Sequence, residues 1–130
     1  MILAIRTDAP EARLALLKSD GKILSDVHWQ ADRRLAHELL GKLEDLLSEQ
    51  SSTWKDLSGL IVYRGPGSFT GLRIGITVMN TIAYAQKIPI VGTTGDQWIE
   101  QGIELIASGE TQEIVLPEYG AEAHITKPRK

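Results

Sequence analysis

The sequence contains no cysteine, which excludes disulfide scaffolds, thiolate zinc sites, iron–sulfur clusters and cysteine nucleophiles. That composition fits a reducing compartment, and a cytoplasmic location is the expectation. No apolar run approaches the roughly 18 residues of a membrane span. The apolar start, Met1 to Ile5, runs straight into Arg6 and Asp8 and is too short for the core of an export signal. Neither export nor membrane attachment is expected. Positive charge is scarce as well. Seventeen acids against fourteen bases give a net charge of -3, so the chain offers no overall basic field to nucleic acid or anionic lipid. Between Ile88 and Thr126 there is no Lys or Arg, against seven acids, and such a segment repels phosphate. The last four residues carry three bases, Lys127, Arg129 and Lys130. An RNA contact would use that tail or the first two thirds of the chain. The plainer reading is a solvated acidic face and a solubilising end.

What is present is ordinary globular composition: 130 residues, 42% apolar and 24% charged. A chain of this size forms one domain and buries about two thirds of the surface its unfolded form exposes. Ile2 to Thr7 reads as a central strand ended by Asp8-Ala9-Pro10. Ala12 to Lys18 and Lys22 to Trp29 flank Ser19-Asp20-Gly21, and Asp-Gly between two strand-like runs signals a hairpin. Leu35, Leu39, Leu40, Leu43, Leu46 and Leu47 fall within an arc of about 140° on a helical wheel. They predict an amphipathic helix with Asp32 as its N-cap. Gly59 to Tyr63 reads as a buried fourth strand running into Arg64-Gly65-Pro66-Gly67-Ser68-Phe69-Thr70-Gly71. A second helix to about Lys87, a fifth strand over Pro89 to Gly92, a third helix from Asp96 to Ala107 and a last short strand from Glu113 to Leu116 follow. This order implies an α/β fold, a mixed five-stranded sheet covered by helices. It is the signature of the ribonuclease H-like and actin-like ATPase (ASKHA) fold, and by itself it says nothing of function. Residues 1–108 are expected to form that domain, with 109–130 as a short strand and basic tail.

Pro66-Gly67 suits the central positions of a type II turn, with positive φ at the glycine. Ser68 or Thr70 can cap the following helix. A glycine-rich turn leading into a helix is also a place where anions bind, yet this one lacks the Gly-Lys-Ser/Thr ending of a P-loop, and Ser68 does not sit in a G-x-S-x-G elbow. Gly65, Pro66, Gly67, Ser68, Thr70 and Gly71 therefore read as a structural turn or an anion site. The apolar residues of the second helix cover about 200° of its wheel, while one sheet needs about half of that. A second cover is expected, either from the first helix or from another molecule. Gly71 and Gly75, four apart, would let a neighbouring backbone approach.

A metal nuclease of this fold needs clustered carboxylates starting on the first strand. Arg6 stands there instead, and the fourth strand ends in Tyr63 and Arg64. His28, His37 and His124 are not paired at metal-binding spacing. No catalytic residue and no metal ligand is read from the sequence.

Gly65-Pro66-Gly67-Ser68-Phe69-Thr70-Gly71-Leu72-Arg73-Ile74-Gly75 resembles the signature of the TsaB (YeaZ) family, as do Ile2 to Thr7, Leu35 to Leu40 and Ile88 to Gly92 in the same order. The stretch from Tyr119 to Lys130 resembles the end of family members. The resemblance implies an actin-like fold and a role in forming N6-threonylcarbamoyladenosine at position 37 of tRNAs that read codons beginning with A. It implies a non-catalytic, dimerising subunit that pairs through its first two helices with TsaD, the threonylcarbamoyl transferase, or with a second TsaB when TsaD is absent. TsaE, a P-loop ATPase, joins that pair, and tRNA is reached through the complex. No cofactor is expected on the chain alone; an adenine nucleotide at the subunit interface is compatible with the resemblance. The residues expected at the interface are Leu39, Leu43, Phe69, Leu72, Gly75, Ile76, Met79 and Ala83, so that Gly75→Glu or Ile76→Asp should break pairing and spare the fold. Two departures from the family are visible. Only about 38 residues follow Gly92, where the family has a second half-domain, and Arg6 replaces its usual Asp. The alternative is a small nucleotide-binding enzyme of the actin-like superfamily that uses the Gly65 to Gly71 turn.

Overall fold

The computed structural model describes residues 1–118; the expected tail from Tyr119 to Lys130, with His124, lies outside the described residues. Five strands and three α-helices follow in the order β1 (Ile2–Arg6), β2 (Glu11–Leu17), β3 (Ile23–Gln30), α1 (Leu35–Glu49), β4 (Gly59–Tyr63), α2 (Phe69–Gln86), β5 (Ile90–Thr93) and α3 (Trp98–Ala107). The strands form one mixed sheet in the order β3-β2-β1-β4-β5. β1, β2 and β3 are antiparallel neighbours, whereas β1–β4 and β4–β5 are parallel. Parallel neighbours need a crossover, which α1 and α2 supply in turn. The Asp20-Gly21 signal holds: Gly21 has φ 96°, and Lys22 N–H donates to the Asp20 carboxylate at 3.0 Å.

Strand alternation sorts the core. Ala4, Ile61 and Val91 are paired in register across β1, β4 and β5, and Gly102 of α3 lies directly on Ile61. The opposite face presents Leu3, Ile5, Leu60 and Val62, with Thr7 beyond the end of β1 against Gly75 of α2. α1 and α2 pack side by side on that second face. Leu3, Leu16, Leu39, Leu43, Leu60, Leu72 and Met79 are fully buried, each contributing about 1.5–3 kcal/mol relative to exposure.

Three local expectations are corrected. Asp32 does not cap α1: it has φ 49°, accepts a hydrogen bond from Gln30, and opens a short 3-10 turn (Asp32–Arg34), so α1 follows Arg34 instead. The Gly65–Pro66 peptide is cis, and Gly65 (φ 122°), not Gly67, takes the positive φ, so the turn is not type II. The last strand does not form. Only Gln112 makes a β-bridge, to Ile90; beyond it, side chains satisfy the backbone where a ladder would. Gly92 N–H donates to Gln112 Oε1 at 2.7 Å, and Asn80 of α2 brackets Val115, donating to its carbonyl and accepting from its amide, both at 2.9 Å.

Candidate functional site

The glycine run between β4 and α2 is held against the end of β1. Ser68 N–H donates to the Asp8 carbonyl at 2.9 Å, and Thr7 Oγ1 donates to the Gly71 carbonyl at 2.8 Å. A Cβ at Gly67 would overlap Asp8, one at Gly71 would overlap the Thr7 carbonyl, and one at Gly75 would overlap the Thr7 side chain. At Gly65 the obstacle is the Glu118 carbonyl, whose residue donates its N–H to Arg64 O at 2.6 Å. The glycines are thus explained by close approach within the chain. Ser68 occupies the position before α2 but makes no side-chain capping bond, and Thr70 lies within the first turn of the helix; neither caps as expected. Pro66, exposed, accepts a hydrogen bond from the Tyr63 hydroxyl at 3.0 Å.

The polar end of β1 is closed on itself. Arg6 forms a two-pronged pair with Asp8, at 2.8 and 3.1 Å, and its guanidinium lies 3.8 Å from the centre of the Tyr63 ring. The hydrogen bond to Asp8 raises the Arg6 pKa, and burial raises that of Tyr63. Tyr63 meets Trp98 edge to face at 6.1 Å. Arg13, beside Arg6 in the sheet, pairs with Asp26 at 2.9 and 3.0 Å and holds that carboxyl below its usual range. Among the described residues no group of three His, Cys, Asp or Glu is placed to hold a metal ion. Thr93, opposite Tyr63 on β5, keeps a buried hydroxyl with no hydrogen-bond partner among the described residues.

The residues expected at a partner interface are mostly inside the molecule. Leu39, Leu43, Leu72 and Met79 are 0% exposed, Ile76 3% and Ala83 6%, and Gly75 is buried. Only Phe69, at 54%, reaches solvent. The sheet covers one side of the broad apolar arc of α2 and α1 covers the next, so the chain supplies both covers itself. Gly75→Glu and Ile76→Asp would therefore disrupt the core rather than spare it. What faces outward on α2 is a different row: exposed Thr70, Arg73, Thr77, Thr81 and Tyr84 (88%), with half-buried Ile74 and Val78 between them. Arg73 is the one charged residue in the 18 of α2, and its guanidinium sits 5.3 Å from the Phe69 ring centre. Leu40 of α1, 51% exposed, adds an apolar side chain to the outer surface of the pair. The sequence reading weighed the width of the apolar arc; it did not weigh the near-absence of charge on the far side of α2.

The strand order and the helical crossovers define a ribonuclease H-like fold of the actin-like kind. The family model for TsaD, tRNA N6-adenosine threonylcarbamoyltransferase, matches residues 27–119. The chain belongs to this family and, within it, to the TsaB (YeaZ) group. It is 34% identical to the tRNA threonylcarbamoyladenosine biosynthesis protein TsaB of Escherichia coli (strain K12) over 78% of this chain and 43% of that protein. The solved structure of YeaZ from Pseudomonas aeruginosa superposes with a TM-score of 0.66 at 32% identity, covering 72% of this chain and 43% of the other. RuvC from T. thermophilus, solved with a Holliday junction substrate, has a TM-score of 0.51 at 11% identity over 94% of this chain and 86% of its own, a likeness of fold alone. The chain thus spans under half the length of the TsaB relatives it matches. No helix among the described residues is long and apolar enough to cross a membrane.

Proposed function

We propose that the chain acts in tRNA threonylcarbamoyladenosine formation as a non-catalytic subunit, docking onto a threonylcarbamoyltransferase (TsaD) through the outer row of α2 and the exposed Leu40 of α1 beside it. The observation that carries this reading is the outer row of α2, where five exposed positions hold three threonines, one tyrosine and one arginine. Charge depletion with an exposed aromatic is the composition of an interface core rather than of a solvated helix. A contact of standard size covers about 800 Å² per partner, and a second copy of the chain takes the same surface when the transferase is absent. TsaE and tRNA then join through the assembled pair. The Arg6–Asp8 pair, which closes the polar end of β1 on itself, supports a role without chemistry of its own. The alternative of a nucleotide enzyme built on the Gly65 to Gly71 turn gains no support from the turn itself, whose glycines are occupied by Asp8, Thr7 and Glu118.

The test is sedimentation velocity of the chain mixed with the transferase of the same organism. Thr77→Glu and Tyr84→Ser should each leave the fold intact and weaken association at least about tenfold, as loss of a central contact does. Unchanged co-sedimentation of both variants would remove the surface from the proposal. Retained ATP hydrolysis by the purified chain alone would favour the enzymatic alternative.

A further inference from the structure

A groove of about 790 Å³ opens where the β1–β2 connection, the start of α1 and the start of α2 meet. Pro10, Leu35 and Ile74 give it an apolar floor, and Asp32, Arg33 and Arg34 stand on its rim. It shares Thr70 and Ile74 with a shallower depression that also contains Arg73 and Thr77. The groove is therefore continuous with the outer row of α2.

The rim charges are unevenly engaged. Arg34 donates to the Gln30 carbonyl at 2.8 Å and lies 3.7 Å from the Glu38 carboxylate. Asp32 accepts from Gln30 at 3.1 Å, and Arg73 lies over the Phe69 ring. Arg33 is exposed and has no hydrogen bond or ion pair among the described residues. An unpaired guanidinium over an aliphatic floor asks for two things at once, a planar carboxylate to take its forked donors and an apolar side chain to cover the floor.

We propose that this groove receives an acidic segment of the partner protein, with a carboxylate on Arg33 and an adjoining apolar side chain on Pro10, Leu35 and Ile74. The inference rests on the partner-subunit reading and adds to it the chemistry of the docking segment. Nucleic acid fits less well. A phosphate backbone leaves the apolar floor uncovered and brings its repeated negative charge against Asp32 and Glu38.

The experiment is calorimetric titration of the transferase of the same organism into the chain at several salt concentrations, using wild type, Arg33→Glu, Arg33→Lys and the charge-neutral Tyr84→Ser. Circular dichroism checks the fold, which Arg33 does not support by any partner among the described residues. Arg33→Glu should weaken binding about tenfold and flatten its salt dependence, as loss of a steering ion pair does; Arg33→Lys should retain most of the affinity. Tyr84→Ser should weaken binding while leaving the salt slope as in wild type. If Arg33→Glu binds like wild type while Tyr84→Ser does not, the groove inference fails and the partner reading stands. If wild type does not bind the transferase, both fail. If Arg33→Glu loses tRNA retention in a filter assay with transferase binding unchanged, the groove serves nucleic acid and the inference is overturned.

Discussion

α1 and α2 lie side by side on the same sheet face and each buries an apolar stripe, five leucines on α1 and a mixture of Leu72, Gly75, Ile76, Met79, Ile82 and Ala83 on α2, but their outer sides are opposites. α1 carries Glu38, Lys42, Glu44, Asp45 and Glu49 along with His37, whereas α2 carries only Arg73. Both inner stripes are needed by the chain's own core, so the width of an apolar arc does not tell a partner-binding helix from a structural one. The outer side does. A helix that meets only water gains solubility from charge, and a helix that meets another protein must have that charge removed or paired.

The largest expected effect separates the two sides of α2. Ile76→Asp places a carboxylate in a position 3% exposed and should cost more than about 3 kcal/mol in urea denaturation. Thr77→Glu, one residue on and exposed, should change stability by less than about 0.5 kcal/mol. Similar losses for the two would erase the distinction between inner and outer sides. Next comes the seam between α2 and β1. Gly75→Ala should cost about 1–3 kcal/mol by overpacking against Thr7, and a double-mutant cycle with Thr7→Ala should return part of that cost. Strict additivity would mean that the seam is looser than described. Smaller still, Thr93→Val removes a buried hydroxyl that has no partner among the described residues and should stabilise the protein by about 1 kcal/mol in thermal unfolding.

The smallest effect lies away from both helices, on the edge hairpin. Because Arg13 depresses the Asp26 pKa, that pair stabilises the fold fully above the ordinary carboxylate range. Its contribution is lost as pH falls through the lower folded value. Arg13→Gln should remove about 0.5 kcal/mol at neutral pH and make stability less sensitive to acid. An unaltered acid limb would show that the pair is not coupled to folding.

Much of the sheet was legible because its signals are local. Asp20-Gly21 marks the hairpin, the continuous apolar runs at β1 and β4 mark fully buried strands, and the leucine spacing of α1 marks one helical face. What misled was whatever depends on who fills a backbone's hydrogen bonds. Glu113 to Leu116 holds an apolar, β-branched run like a strand, yet the Asn80 and Gln112 side chains satisfy the backbone at Val115 and Gly92 in place of a ladder. The glycine run suggested anion binding or a type II turn because free space and a positive φ look alike in sequence. Here one glycine needs the φ, and the others make room for Thr7 and Asp8. The residues expected at an interface are instead buried within the chain, because a helical wheel does not reveal that α1 will close the second flank of α2.

The absence of side chains on α2 where it meets the end of β1, at Gly71 and Gly75, leaves the helix no slack to tilt or slide. With Gly71 and Gly75 resting on Thr7 and a hydrogen bond across the seam, the backbone behind the threonine row is set before any encounter. On the proposed docking, an arriving subunit would meet a finished template and little conformational entropy would be lost on association. The encounter would then be governed by how the two bodies collide and orient, with no folding step in the binding event.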